Sequence, residues 1–153
     1  MSNNTKKDIP RLKETWHKID ALYNLYIKSV GLNFTTVLVL ELLHESTENY
    51  TQKEICERLG LPKQLVNSII KSLWEQGYVK LQEATDRRNK DIIVTAEGHK
   101  YINKIITPLD EAETAAWESF SHEEILSHIS TMERYTKAFE KVLENMQDTK
   151  RDL

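Results

Sequence analysis

Turn-forming residues are scarce: the 153-residue sequence holds four glycines and three prolines. A sandwich or barrel of short strands needs a turn roughly every 8–12 residues, so that architecture is disfavoured and a mainly α chain is expected. Cysteine is scarcer still. The lone Cys56 cannot close an internal disulfide, and nothing points to an oxidising compartment. Long apolar runs are missing too, since the longest aliphatic stretch, Val37–Leu40, falls far short of the roughly 20 residues that span a bilayer. The segment Met1–Pro10 is polar and carries Lys6 and Lys7 with no apolar stretch behind them, so it does not read as a signal peptide. A cytoplasmic location with no membrane partner is the expectation. Enzyme signatures are also lacking: there is no nucleophile elbow, phosphate loop, HExxH pair or framed carboxylate pair. Neither catalysis nor a cofactor is expected.

What is present fits one folded domain, with 39% hydrophobic and 29% charged residues in a chain close to the roughly 150 residues of a single domain. The net charge of −3 hides an uneven distribution. Residues 1–50 are neutral overall, 51–107 carry +3, 108–148 carry −7 and 149–153 carry +1. A basic middle followed by an acidic tail offers an anionic polymer one attractive surface and repels it from the rest.

Apolar residues Leu12, Trp16, Ile19, Tyr23, Tyr26 and Val30 recur at steps of three and four, which predicts a helix from Arg11 to Val30. Gly31 suits its C-terminal cap. Asn33 can cap a second helix running to about His44. Thr51 and Glu54 form a capping-box pattern for a short third helix that stops at Gly60, and Pro62 opens a fourth that runs from Lys63 to about Glu75. The runs Tyr78–Leu81 and Ile92–Val94 read as a β-hairpin whose charged tip spans Glu83–Asp91. Thr95 can cap a fifth helix, which Pro108 should kink or break. Ser121 with Glu124 is a second capping box and opens a last helix.

The fourth helix is amphipathic in an unusual way. At about 100° per residue from Lys63, the apolar Val66, Ile69, Ile70 and Leu73 fall between roughly 240° and 340°. Lys63, Gln64, Asn67, Ser68 and Lys71 fall between roughly 0° and 140°, a polar strip without an acidic residue. Asn and Gln can pair with adenine, Lys can reach guanine or phosphate, and Ser can do either. A solvated helix face has the same composition, but the hairpin beside it narrows the choice. Two short helices, a tight turn and a β-hairpin tipped by Arg87, Arg88, Asn89 and Lys90 make a winged helix-turn-helix. The helix suits a major groove and the arginines a minor groove. Asp86 is placed to hold Arg88 through a charge-assisted hydrogen bond.

The stretch Leu61–Lys71, then Gly77-Tyr78-Val79, Asp86-Arg87-Arg88-Asn89-Lys90 and Thr95-Ala96-Glu97-Gly98, resembles the MarR-type bacterial transcriptional regulators. Asp-x-Arg followed by Thr-x-x-Gly is among that family's most specific marks. The resemblance implies a sequence-specific double-stranded DNA-binding regulator, repressor-like and homodimeric on a pseudo-palindromic site, with Arg88 as the wing arginine and the fourth helix as recognition helix. It also implies a small-molecule effector held between the dimer helices and the DNA-binding lobe. Leu65 stands where Thr or Ser is usual, so it is not counted as a base contact, and Trp74 replaces a charged residue and is read as packing on a neighbouring helix. Residues 34–95 would form the winged lobe, and 1–33 with 96–153 a helical dimerisation region bearing Trp16, Tyr23, Trp117, Phe120, Ile129, Phe139 and Val142.

Trp16, Tyr23, Tyr26 and His44 are candidates to line an effector site, although plain core is the commoner role for each. Cys56 is expected to be a buried, inert thiol rather than a redox switch. A metal-sensing variant of the same family is an alternative, through Glu118 with His122 and Glu124 with His128, but no dense ligand motif supports it. The remaining alternative is a winged helix used for protein contact. The strength of salt dependence separates it from DNA binding.

Overall fold

The computed structural model describes residues 3–46, 48–83 and 90–151. Its elements run α1 (Asn3–Ser29), α2 (Phe34–Glu45), β1 (Tyr50–Thr51), α3 (Gln52–Leu59), α4 (Lys63–Glu75), β2 (Val79–Glu83), β3 (Lys90–Val94), α5 (Ala96–Trp117) and α6 (His122–Arg151). The mainly α winged helix-turn-helix expected from the sequence is present. The helix starts and stops follow local side-chain chemistry. Asn33 Oδ1 accepts the amide of Thr36 at the start of α2. At α3, Thr51 Oγ1 accepts the amide of Glu54 while Glu54 Oε2 accepts the Thr51 amide at 2.7 Å, and Ser121 with Glu124 repeats the box at α6. Gly60 ends α3 with φ 62°, a left-handed conformation that needs no Cβ.

Three expectations are corrected. First, α1 begins at Asn3 rather than Arg11 and runs through Pro10. The carbonyl this proline leaves without an amide partner belongs to exposed Lys6, where water can satisfy it. Second, Pro108 does not break α5, which continues to Trp117. Its orphaned carbonyl, that of Lys104, is again on the exposed side, while Ile102, Ile105, Ile106 and Leu109 hold the opposite face in the core. The Tyr26 hydroxyl donates to the adjacent Ile105 carbonyl at 2.6 Å. Third, the hairpin strands extend further toward the tip, so Lys90 and Asp91 are strand residues.

The sheet has three strands in the order β1-β3-β2, all antiparallel. β1, which the sequence reading missed, pairs Tyr50 with Ile92 and Thr51 with Asp91. The chain divides into two compact units, Met1–Asp110 and Glu111–Leu153. The first holds the core, in which Val39, Leu40, Ile55, Val66, Ile70, Ile92, Ile102 and Ile106 are almost wholly buried, with Ile27 from α1 beside them. Within the second, the Trp117 ring lies 5.1 Å from Phe120 and 5.7 Å from His128. No single helix among the described residues is long and apolar enough to cross a membrane.

Candidate nucleic-acid interface

The turn between α3 and α4 is set by three residues. Gly60 turns left-handed, and both its amide and that of Leu61 return to the Cys56 carbonyl. Pro62 then stands at the N-cap, extended at φ −60° and ψ 138°, and its carbonyl accepts the amides of Leu65 and Val66. The α4 face that follows is divided as the periodicity requires. Val66, Ile69, Ile70 and Leu73 are buried; Lys63, Gln64, Asn67, Ser68 and Lys71 are exposed. Partly buried Leu65 packs against the core.

The strip differs from expectation at its C-terminal end. It is free of carboxylates from Lys63 to Lys71, but Glu75 follows on the same face, with Oε1 3.8 Å from Lys71 Nζ. Trp74 is not packed away on a neighbouring helix: it is 52% exposed. The same 100° arithmetic that defined the strip places Trp74 at roughly 20° and Glu75 at roughly 120°, so both belong to it. Periodicity alone carries this signal, since both bearings lie inside the arc of the strip.

The wing rises directly from the end of α4. Gly77, at φ 77°, turns the chain into β2, and pairing runs from Val79 opposite Val94 to Glu83 opposite Lys90. Buried Val79 and Ile92 anchor its base, whereas Lys90 is exposed. Asp86, Arg87, Arg88 and Asn89 lie outside the described residues. The Thr95-x-x-Gly98 part of the motif ties the wing to both helices. Thr95 Oγ1 donates to the Gly77 carbonyl at 2.8 Å and accepts the Gly98 amide at 3.0 Å, and its amide donates to the Tyr78 carbonyl. The Tyr78 and Tyr101 rings stack with centroids 4.1 Å apart.

A cavity of about 560 Å³ beside the strip is lined by Lys53, Cys56, Lys63, Leu81 and Lys90 among others. Cys56 is therefore half-buried at a basic cavity rather than sealed in the core. The other candidates are engaged locally. His44 Nε2 lies 3.4 Å from Asp110 Oδ2. Burial raises the Tyr26 hydroxyl above the usual phenol range, and its proton goes to Ile105. Among the described residues no three His, Cys, Asp or Glu side chains converge as metal ligands would. Of the residues assigned to dimerisation, Trp117, Phe120, Ile129, Phe139 and Val142 are exposed, whereas Trp16 and Tyr23 are partly buried.

Residues 30–89, which hold α2, the helix-turn-helix and the first wing strand β2 and end just before β3, match the MarR family. The chain is similar to MarR-type winged-helix regulators. Its backbone superposes on the MarR family regulator NMB1585 of Neisseria meningitidis with a TM-score of 0.71 and 26% identity, covering 88% of this chain and 97% of that one. MepR of Staphylococcus aureus, solved as a DNA complex, gives a TM-score of 0.66 at 18% identity over 84% of this chain and 94% of its own, a likeness of fold. The transcriptional regulator SarT of Staphylococcus aureus is 24% identical over 83 residues, which span 54% of this chain and 70% of SarT.

Proposed function

We propose that this chain is a MarR-type regulator that binds double-stranded DNA as a homodimer on a pseudo-palindromic operator in the cytoplasm and represses transcription from it. Lys63, Gln64, Asn67, Ser68 and Lys71 would enter the major groove; Arg87, Arg88, Asn89 and Lys90 would follow the neighbouring minor groove, with Asp86 holding Arg88. One observation carries the reading: a polar, carboxylate-free ridge from Lys63 to Lys71 stands exposed on a helix whose opposite face is locked in the core. A ridge held this way meets a groove already ordered, so binding does not have to offset the cost of ordering it. The likeness of fold to MepR in its DNA complex supports the same placement.

The division of labour expected from the sequence goes with this proposal. Residues 34–95 contact DNA, while 1–33 and 96–153 hold the partner copy. A small-molecule effector, as the family resemblance implies, would release the dimer from its operator.

The direct test is to select bound fragments from the source genome and then follow affinity against salt. Retention of a small set of sequences sharing an inverted repeat is expected, and log Kd should rise steeply with log salt as phosphate counterions are released. Retention of no duplex at low salt, together with capture by an acidic protein, would overturn it.

A further inference from the structure

We propose that Trp74 is a further DNA contact, one that closes the outer end of α4 against the sugar–phosphate backbone. This rests on the DNA reading above and extends it beyond the polar strip. The indole is 52% exposed although it is among the largest apolar side chains in the winged lobe. Its bearing of roughly 20° lies inside the arc that Lys63 and Ser68 define, and therefore on the side turned to the groove rather than toward the core. Its height along the helix sets what it meets. At 1.5 Å per residue Trp74 stands about 10 Å beyond Asn67, and a major groove is about 12 Å wide. A helix whose first turns reach base edges has by that point come out to the flanking strand.

The chemistry of the indole suits that strand. Its Nε1–H is a donor with no acceptor, which matches a phosphate oxygen, and its ring can cover the apolar face of a deoxyribose. Glu75, next in sequence, would repel phosphate if free, but its carboxylate is turned to Lys71 at 3.8 Å. The expected contact is independent of base identity.

The test uses full-length protein and a labelled mixed-sequence duplex of about 30 base pairs, long enough for two half-sites one helical turn apart. Trp74→Ala should keep the wild-type melting temperature, because the side chain lies on the surface, and should weaken binding roughly tenfold on every duplex, as loss of a hydrogen bond to a charged acceptor does. Wild-type tryptophan emission should change on saturation with duplex, and Trp74→Phe should abolish that change while still binding. Affinity within twofold of wild type for Trp74→Ala, or emission unmoved at saturation, would overturn the proposal. A loss confined to particular base pairs would overturn the backbone assignment, and a fall in the oligomer's mass would show that Trp74 meets protein instead. If the wild-type chain itself retains no duplex, the regulator reading fails first and this one with it.

Discussion

Gly98 sits so close to Tyr78 that a Cβ placed on it would collide with the Tyr78 carbonyl oxygen and lie 2.9 Å from Val94 Cγ1. Glycine is required here by the approach of two backbones, since Gly98 is helical. The contact is where α5 meets the base of the wing, and the Thr95 hydroxyl closes it from the other side. Gly98→Ala should therefore force α5 away from β2 and cost about 1–3 kcal/mol, the usual cost of overpacking. Urea unfolding would check this, and a stability unchanged within error would mean that the junction yields freely. Because the wing stands on this junction, DNA affinity should fall with stability.

The ends of most helices are legible in the sequence. Asn33, Thr51 with Glu54, Gly60, Pro62 and Ser121 with Glu124 mark helix ends because each acts on backbone groups within a few residues, so chain order alone carries the information. Pro108 was misjudged because what keeps α5 continuous lies elsewhere: Ile102, Ile105, Ile106 and Leu109 are anchored in a core that the sequence does not display as contacts. β1 escaped notice because two residues carry no pattern of their own and pair with a strand some 40 positions away. The recognition strip is legible from periodicity, and so is the bearing of Trp74 and Glu75; their residue types, an indole and a carboxylate, are what set them apart from a strip of polar and basic side chains.

Glu54 makes the α3 cap sensitive to acid. The Thr51 amide first, then the Thr51 hydroxyl, hold its carboxyl below the ordinary carboxylate range, against a smaller opposing effect of burial. A carboxylate whose folded pKa is depressed contributes stability that is complete above the unfolded value, about 4.3, and is lost as pH falls through the folded one. Wild type should thus exceed Glu54→Gln in stability by a constant margin at neutral pH, and the margin should shrink below about pH 4.3. Thermal melts across that range would settle it; a margin that stays flat or grows on acidification is the contrary result. Thr51→Ala, which removes the hydroxyl that accepts the Glu54 amide and donates to the Glu54 carboxylate while leaving the Thr51 amide in place, should cost about 1 kcal/mol at neutral pH.

Residues of the strip should separate into two classes by how their removal depends on sequence and salt. Asn67→Ala and Gln64→Ala are expected to cost about 1–3 kcal/mol on the selected operator and to relax preference at particular base pairs. Lys71→Ala removes a cation that is 67% exposed and shared with Glu75, so it should weaken all duplexes alike and lower the salt slope by about 0.9 for each protomer bound. Arg88→Ala should behave like Lys71→Ala. Competition binding with single-base operator variants reads the first class, and salt titration reads the second. Equal losses on every sequence for Asn67→Ala would remove it from the base-reading set.

The exposed apolar face of α6 carries the dimer proposal. Ile129, Met132, Thr136, Phe139, Leu143 and Met146 follow one another at steps of three and four, a seam with the spacing of a two-helix interface and one polar member. Ile129, Phe139, Leu143 and Met146 are each more than 40% exposed. A charge at the middle of that seam would be desolvated on association without a counter-charge, so Phe139→Glu should leave helix content intact and convert the dimer to monomer. Light scattering at micromolar protein would measure the mass. The effect on DNA follows from linkage. A dimer holds its second recognition helix near the second half-site at high effective concentration, an advantage of about 10²–10⁴ in affinity that the monomer forgoes. Phe139→Glu should therefore bind a full operator no better than a half-site, although it leaves every proposed DNA-contacting residue in place. A variant that stays dimeric, or a monomer that still binds the full operator as tightly as wild type, would separate DNA binding from this seam.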